Sequence, residues 1–167
     1  MKRAIVLALS VILALTMAAP TVLARSDNGT APEPVSADFT VEPGAEGGSC
    51  AFPLRVEVSG KGKMITQPNG SLIFTSPGLF ATVTNKTNGE QATFSITGTF
   101  HQTTNPENGD VTTKVTGRNL LSDPDAGYVL LSGNFSFVFD AEGNLIKSFE
   151  DPPAGNGQVI DVCALLA

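Results

Sequence analysis

Apolar and polar residues alternate strictly between positions 50 and 59 of this chain. The apolar positions are Cys50, Phe52, Leu54, Val56 and Val58, and the positions between and after them hold Ala, Pro, Arg, Glu and Ser. Successive side chains of a strand point to opposite faces, so a period of two predicts a β-strand with one covered face.

Turn-forming residues divide the chain beyond this strand into short segments. Gly combined with Pro, Asn or Asp recurs about every ten residues, and the segments between are rich in Thr, Val, Phe and Leu, without a useful helical period. This spacing predicts an all-β fold, an antiparallel meander of about eight or nine strands closed as a small barrel. A β-sandwich is the alternative architecture.

The middle of the chain permits a test of strand register, because one face of each hairpin must stay apolar. Pairing Thr104 with Val111 places three pairs on one face: Phe100 with Val115, Gly98 with Gly117, and Phe94 with Leu121. The next hairpin, which turns between residues 122 and 128, and an earlier one, which turns between residues 85 and 90, keep the same face. We therefore predict that these strands share one inner surface.

Two features of that inner surface are unusual. Gly98, Gly117 and Gly133 form one row across three strands, which predicts a place where the sheet bends sharply or admits another group. Asn119 also falls on the inner side, and an enclosed amide requires hydrogen-bond partners.

The same register predicts a candidate ligand site near the strand ends. Gln102, Thr113, Phe137 and Lys147 would lie in one row across four adjacent strands, where an aromatic wall, an amide and an ammonium could orient an anionic amphipathic ligand. Lys147 would be the anchor, although a slip of one residue in its short strand would turn it to the other face. The alternative is that Gln102 and Lys147 only reach water at an open end of the sheet.

The N-terminus predicts export. Lys2 and Arg3 precede an apolar run that ends in small residues at Ala24, which is the pattern of a secretory signal peptide in residues 1–24. A transmembrane anchor is the alternative, but the run falls short of the roughly 20 apolar residues that a span needs. Residues 25–48 are mostly Ala, Pro, Gly, Ser, Thr and Glu, which predicts a flexible tether, and residues 49–167 form the folded domain.

The chain has two cysteines, Cys50 and Cys163. In an oxidising compartment two cysteines usually pair, so we expect one disulfide that joins the first strand to the end of the chain. Metal ligation is the alternative, but two cysteines and one histidine in scattered positions match no metal-binding spacing, so no metal site is predicted.

Charge and motif content narrow the classes of function. Without Lys2 and Arg3 the chain has eight basic and sixteen acidic residues, a formal charge of −8, which argues against nucleic acid and anionic membranes as partners. The single histidine, His101, falls on the outer face beside Lys114 without an orienting carboxylate. We therefore predict no catalytic residues and no cofactor.

Three segments carry a resemblance to known proteins: the Cys-Ala-Phe-Pro start at Cys50, the Thr-Val-Thr-Asn segment that ends at Asn85, and the Asp-Val-Cys-Ala-Leu-Leu ending around Cys163. Over residues 49–166 the chain resembles a widespread group of small exported bacterial proteins without an assigned activity. The resemblance implies an exported location and a disulfide, but no binding or catalytic residue.

Two classes of function follow from these features. The first is a secreted, non-enzymatic binding or interaction module for a small amphipathic ligand or a surface polymer. The alternative is a cofactor-independent barrel enzyme that acts on a small hydrophobic substrate. The enzyme and a module that binds a small molecule inside the barrel both need a cavity, whereas a solid interior would leave only an interaction through the surface.

Overall fold

The computed structural model describes residues 31–45, 49–123, 127–147 and 157–167, so the predicted signal peptide lies outside the described residues. The described residues form ten antiparallel strands and one short helix, which confirms the all-β prediction. In chain order they are β1 (Glu33–Val41), β2 (Leu54–Thr66), β3 (Leu72–Thr75), β4 (Phe80–Asn85), β5 (Gln91–Ser95), β6 (Gly98–Thr104), β7 (Val111–Asp123), β8 (Gly127–Phe139), β9 (Leu145–Lys147), β10 (Gln158–Asp161) and α1 (Val162–Leu166).

The strands pair in the order β10-β8-β7-β6-β3-β2-β4-β5, with β1 added to β2 and β9 added to β8. This order is not a simple meander, since β3 pairs with β6 and β2 pairs with β4. It also does not return to its first strand, so the sheet is not closed as a barrel and the predicted closure is not confirmed. The long strand β2 joins two parts of the sheet: its first half pairs with β1 and β4, and its second half pairs with β3.

The main hydrophobic core lies where these two parts face each other. Leu54, Val56 and Val83 of the first part pack in one cluster with Tyr128 and Leu130 of β8. A second cluster, around the alternate side chains of β8, consists of Val115, Val129, Leu131, Phe135 and Phe137. Strand β8 is therefore buried on both faces over residues 128–131, as its unbroken Tyr-Val-Leu-Leu run requires.

The predicted disulfide is confirmed. Cys50 and Cys163 are bonded, with their Cα atoms 5.2 Å apart, and Cys50 is buried within the main core. The bond ties the chain just before β2 to the C-terminal helix α1.

The helix α1 is held at both of its ends. Asp161 caps its N-terminus by accepting a hydrogen bond from the Ala164 amide at 2.9 Å. At the other end, Nδ2 of Asn85 and Nδ2 of Asn88 both donate to the Leu166 carbonyl, at 2.8 and 3.1 Å. These bonds satisfy a carbonyl that has no partner within the helix. No helix in the described part of the chain is long and apolar enough to cross a membrane.

Replacement of Asn85 by Ala should lower the free energy of unfolding by about 1–3 kcal/mol, because it leaves the buried Leu166 carbonyl with one donor fewer and removes a buried amide. Asn105→Ala is the matched control. Asn85 and Asn105 each accept a hydrogen bond from the backbone two residues later, but Asn105 lies in an exposed turn. Urea denaturation of both variants measures the difference, and equal losses would show that the contact with α1 contributes nothing.

Strand β1 corrects the prediction of a flexible tether over residues 25–48. Its residues Glu33–Val41 pair in full with β2, and alternate side chains face inward from Val35 to Val41. On the outer face, Arg55 donates to both carboxylate oxygens of Asp38, at 3.1 and 2.8 Å. These hydrogen bonds hold the pKa of Asp38 below its ordinary value. The prediction is wrong here because a Pro- and Glu-containing composition concealed a period of two.

The register of the central hairpins is confirmed, with one exception. Phe100 pairs with Val115, and the glycine row of Gly98, Gly117 and Gly133 is present. The predicted pairing of Phe94 with Leu121 is wrong, because the chain leaves β5 after Ser95, crosses to the other part of the sheet and begins β6 at Gly98. At this crossing a Cβ on Gly98 would lie only 2.2 Å from Oδ1 of Asn119, so the missing side chain makes room for that amide.

Candidate functional site

Three of the four residues of the predicted ligand site lie in one row. Gln102 of β6 pairs with Thr113 of β7, and Thr113 pairs with Phe137 of β8. Nε2 of Gln102 lies 3.3 Å from Oγ1 of Thr113, so the amide and the hydroxyl bind each other. Thr113 and Phe137 are buried, and Phe137 belongs to the second cluster. The row is a packed part of the core with a polar pair at its edge.

Lys147 does not join this row. It pairs with Val138, whereas Leu145 pairs with Phe139, and an irregularity in the ladder separates the two pairs. Paired residues share a face, so Lys147 lies on the opposite side of the sheet from Phe137. The prediction of a four-residue site with Lys147 as its anchor is therefore wrong. One extra residue in a short edge strand is enough to exchange its faces.

A cavity of about 120 Å³ lies between the two parts of the sheet. One wall consists of β1 and β2 side chains, and the other comes from β3, β6, β7 and β8 and from residues that adjoin the strands. The apolar lining residues are Val35, Ala37, Phe39, Val56, Val58, Phe74, Leu79, Ile96, Phe100, Leu120 and Leu121; the polar ones are Ser76, Asn119, Ser122 and Tyr128. None of the four residues predicted as ligand contacts is among them.

The size of the cavity limits what it can hold. An engineered apolar cavity of about 150 Å³ binds benzene, whereas drug-sized ligands occupy about 300–1,000 Å³. The cavity described here therefore accommodates a molecule, or part of one, of about the size of a single ring. Lining residues on both walls are only partly buried, among them Val35 and Phe39 of β1 and Phe100 of β6, so the cavity is not fully enclosed.

The polar lining groups differ in whether they are already satisfied. The Ser76 hydroxyl lies 2.8 Å from the Ile96 carbonyl and 2.9 Å from the Gly98 carbonyl, and it accepts from the Gly98 amide at 3.0 Å. Ser76 thus connects β3 to the segment that enters β6. Its bonds are complete, and its role is structural.

Tyr128 and Asn119 retain unused hydrogen-bonding capacity. Tyr128 is 3 % exposed and Asn119 is 2 % exposed. Nδ2 of Asn119 donates to the Thr116 carbonyl at 3.0 Å. Within the described residues, neither the Tyr128 hydroxyl nor Oδ1 of Asn119 takes part in a hydrogen bond. Among the described residues only Nε2 of His101 is both fully enclosed and unpaired, so the Tyr128 hydroxyl and Oδ1 of Asn119 each keep some accessible surface, where a water molecule or a ligand can bind them.

The Tyr128 phenol is suited to donate a hydrogen bond rather than to exchange a proton. Burial raises the pKa of Tyr128 well above its ordinary value, because the phenolate would lose its hydration. The hydroxyl therefore stays protonated at any physiological pH. It offers one donor to an occupant of the cavity.

His101 provides no comparable site. It lies on the opposite face of β6 from Phe100 and pairs with Lys114, as predicted, and its Nε2 is buried without a hydrogen-bond partner among the described residues. It does not line the cavity. The described residues also contain no group of three or more His, Cys, Asp or Glu side chains that could hold a metal ion.

Sequence reasoning missed the cavity because its walls come from distant segments. Strand β1 was interpreted as a tether, and the pairing of β3 with β6 leaves no local signal. The alternation of Val35, Ala37, Phe39 and Val41 was the one signal that could have revealed the first wall.

Comparison of the chain with family models, curated proteins and solved structures finds no match. The resemblance to small exported bacterial proteins therefore stays a prediction. The three segments that carry it do meet in space: the disulfide joins Cys50 to Cys163, and Asn85 binds the end of α1.

Proposed function

We propose that this chain is an exported, non-enzymatic binding module that takes a small, largely apolar molecule into the cavity between the two parts of its sheet. The observation that carries the proposal is the cavity itself, whose lining includes Tyr128, a residue with a hydroxyl that has no hydrogen-bond partner among the described residues. Membership of the small exported bacterial proteins and an extracellular location form part of the proposal. The disulfide and the N-terminal sequence support both.

A binding function is favoured over the cofactor-independent enzyme by the chemistry of the cavity wall. The lining residues include no histidine, carboxylate, lysine or arginine, and the Tyr128 phenol is held in its protonated form. Such a wall can position a molecule, but it offers no group that would exchange a proton near neutral pH. Barrel closure is not required, because the cavity lies where the two parts of the sheet face each other.

The proposal predicts that benzene binds saturably to the protein, with a dissociation constant in the range from about 0.1 to 1 mM, as expected for a very small apolar ligand. Methyl NMR spectra of the protein from residue 25 onward should show shifts at Val56, Val58 and Leu120. Filling the cavity from the β1 side with Ala37→Leu should weaken binding at least about tenfold, since the added atoms occupy the space of the ligand.

Ser36→Leu is the matched control. It adds a side chain of the same size to the adjacent position of β1, on the exposed face of the strand, and it should leave benzene binding unchanged. Absence of saturable shifts in the unmodified protein, or equal binding by Ala37→Leu and Ser36→Leu, would refute the cavity as the binding site.

A further inference from the structure

We infer that the ligand of this cavity is neutral and carries an oxygen that accepts a hydrogen bond from the Tyr128 hydroxyl, as a ring-sized alcohol or ketone does. This inference rests on the proposed binding function and names its ligand class. It replaces the anionic amphipathic ligand that the sequence predicted, because Lys147, the intended anchor of the anion, lies on the other face of the sheet from Phe137.

The neutrality of the ligand follows from the composition of the wall. Eleven of the fifteen lining residues are apolar and none is charged. An ion that entered the cavity would lose its hydration without gaining a countercharge, which is far more unfavourable than the transfer of a neutral polar group. The acidic chain as a whole adds nothing that would attract an anion.

The oxygen acceptor follows from the two unpaired groups. Tyr128 lines the cavity and is 3 % exposed, its hydroxyl is a donor without an acceptor among the described residues, and a purely hydrocarbon ligand offers it no acceptor. A ligand oxygen satisfies it at once. Oδ1 of Asn119 is an acceptor on the same cavity wall, so a ligand with a hydroxyl has a second partner that a ketone lacks.

Three ligands of matched shape test the inference: cyclohexanol, methylcyclohexane and cyclohexylammonium. Cyclohexanol should bind about tenfold more tightly than methylcyclohexane, the ratio expected when one ligand makes a hydrogen bond to the Tyr128 hydroxyl and the other cannot. Cyclohexylammonium should not bind measurably. Cyclohexanone tests the role of Asn119. Tighter binding of cyclohexanol than of cyclohexanone would indicate that Oδ1 of Asn119 accepts a hydrogen bond from the ligand hydroxyl.

Tyr128→Phe is the diagnostic variant, because it removes the hydroxyl and retains the ring. It should bind methylcyclohexane as the unmodified protein does and lose the preference for cyclohexanol. Its melting temperature should be unchanged or higher, whereas a hydroxyl with a structural hydrogen bond would lower the melting temperature when removed. Thr40→Val, which deletes a hydroxyl on the exposed face of β1, should retain the preference.

Tyr128 also supplies a direct spectroscopic signal. It is the only tyrosine of the chain, so selective ¹³C labelling of tyrosine gives one ring signal, which should shift with cyclohexanol and respond much less to methylcyclohexane. Equal affinities for the two ligands, or a preference that survives in Tyr128→Phe, would overturn the inference while leaving a binding cavity in place. Failure of every neutral probe, benzene included, would instead overturn the proposed function.

Discussion

Loss of the Cys50–Cys163 bond should lower the free energy of unfolding by about 2–5 kcal/mol. The two cysteines are 113 residues apart in the sequence, and in the chain-entropy model a closed loop of about 100 residues stabilises by about 4.7 kcal/mol. The double variant Cys50→Ala/Cys163→Ala removes the bond without leaving a free thiol. Its urea denaturation curve, compared with that of the unmodified protein, measures the loss.

Treatment with a reductant distinguishes the effect of losing the disulfide from the effect of replacing the two cysteine side chains. Dithiothreitol should shift the unfolding curve of the unmodified protein toward that of the double variant and leave the curve of the double variant in place. A double variant that unfolds within about 1 kcal/mol of the unmodified protein would show that the strand pairing holds the two ends together without the bond.

Replacement of Leu130 by Ala should lower the free energy of unfolding by about 2–5 kcal/mol, the range measured for changes of buried Leu to Ala. The Leu130 side chain is 0 % exposed and lies in the cluster that joins the two parts of the sheet. Its neighbours on β8, Val129 and Leu131, point into the other cluster. A strand that is fixed on both faces cannot shift to fill the space that the missing atoms leave.

Ile146→Ala is the control for this variant, since Ile146 also lies in a strand of the second part but is 57 % exposed. Its free energy of unfolding should change by less than about 0.5 kcal/mol. Comparable losses in the two variants would contradict the placement of Leu130 at the junction of the two parts.

Contacts between neighbours in the sequence were predictable, and they are the ones that the sequence placed correctly. The hairpin of β6 and β7 is fixed by a short turn, so the pairing of Thr104 with Val111 determines every later pair, including Phe100 with Val115. The prediction of the disulfide needed only the number of cysteines and the expectation of export. In each case one local constraint leaves few alternatives.

Contacts between distant segments were not predictable in the same way. The pairing of β3 with β6 and of β1 with β2 brings together segments separated by intervening strands, and alternation does not identify the partner of a strand. Ile96 and Thr97 separate β5 from β6, so the register of the β6–β7 hairpin does not extend to Phe94. The face of the sheet on which Lys147 lies depends on one bulge, and no residue pattern predicted that bulge.

The cavity could not be predicted from the sequence, because both of its walls depend on contacts between distant segments. One wall required β1, and the other required the pairing of β3 with β6. The candidate row of Gln102, Thr113 and Phe137 was correct as geometry, yet adjacency on one face does not distinguish an open mouth from a packed interior. Burial decides that distinction, and burial depends on what lies opposite.

Strand β1 stands apart from the rest of the fold in its covalent connections. The disulfide makes the chain from Cys50 to Cys163 a closed ring, and β1 precedes that ring and pairs, among the described strands, with β2 alone. Detachment of β1 disrupts one ladder and the packing of Phe39 and Val41 against the main core, but it leaves the ring and its other ladders in place, so we expect it to cost less free energy than global unfolding. Because Val35, Ala37 and Phe39 form part of the cavity wall, a molecule bound in the cavity would also hold β1 in place. By thermodynamic linkage, whatever keeps β1 attached would then strengthen binding by the same factor.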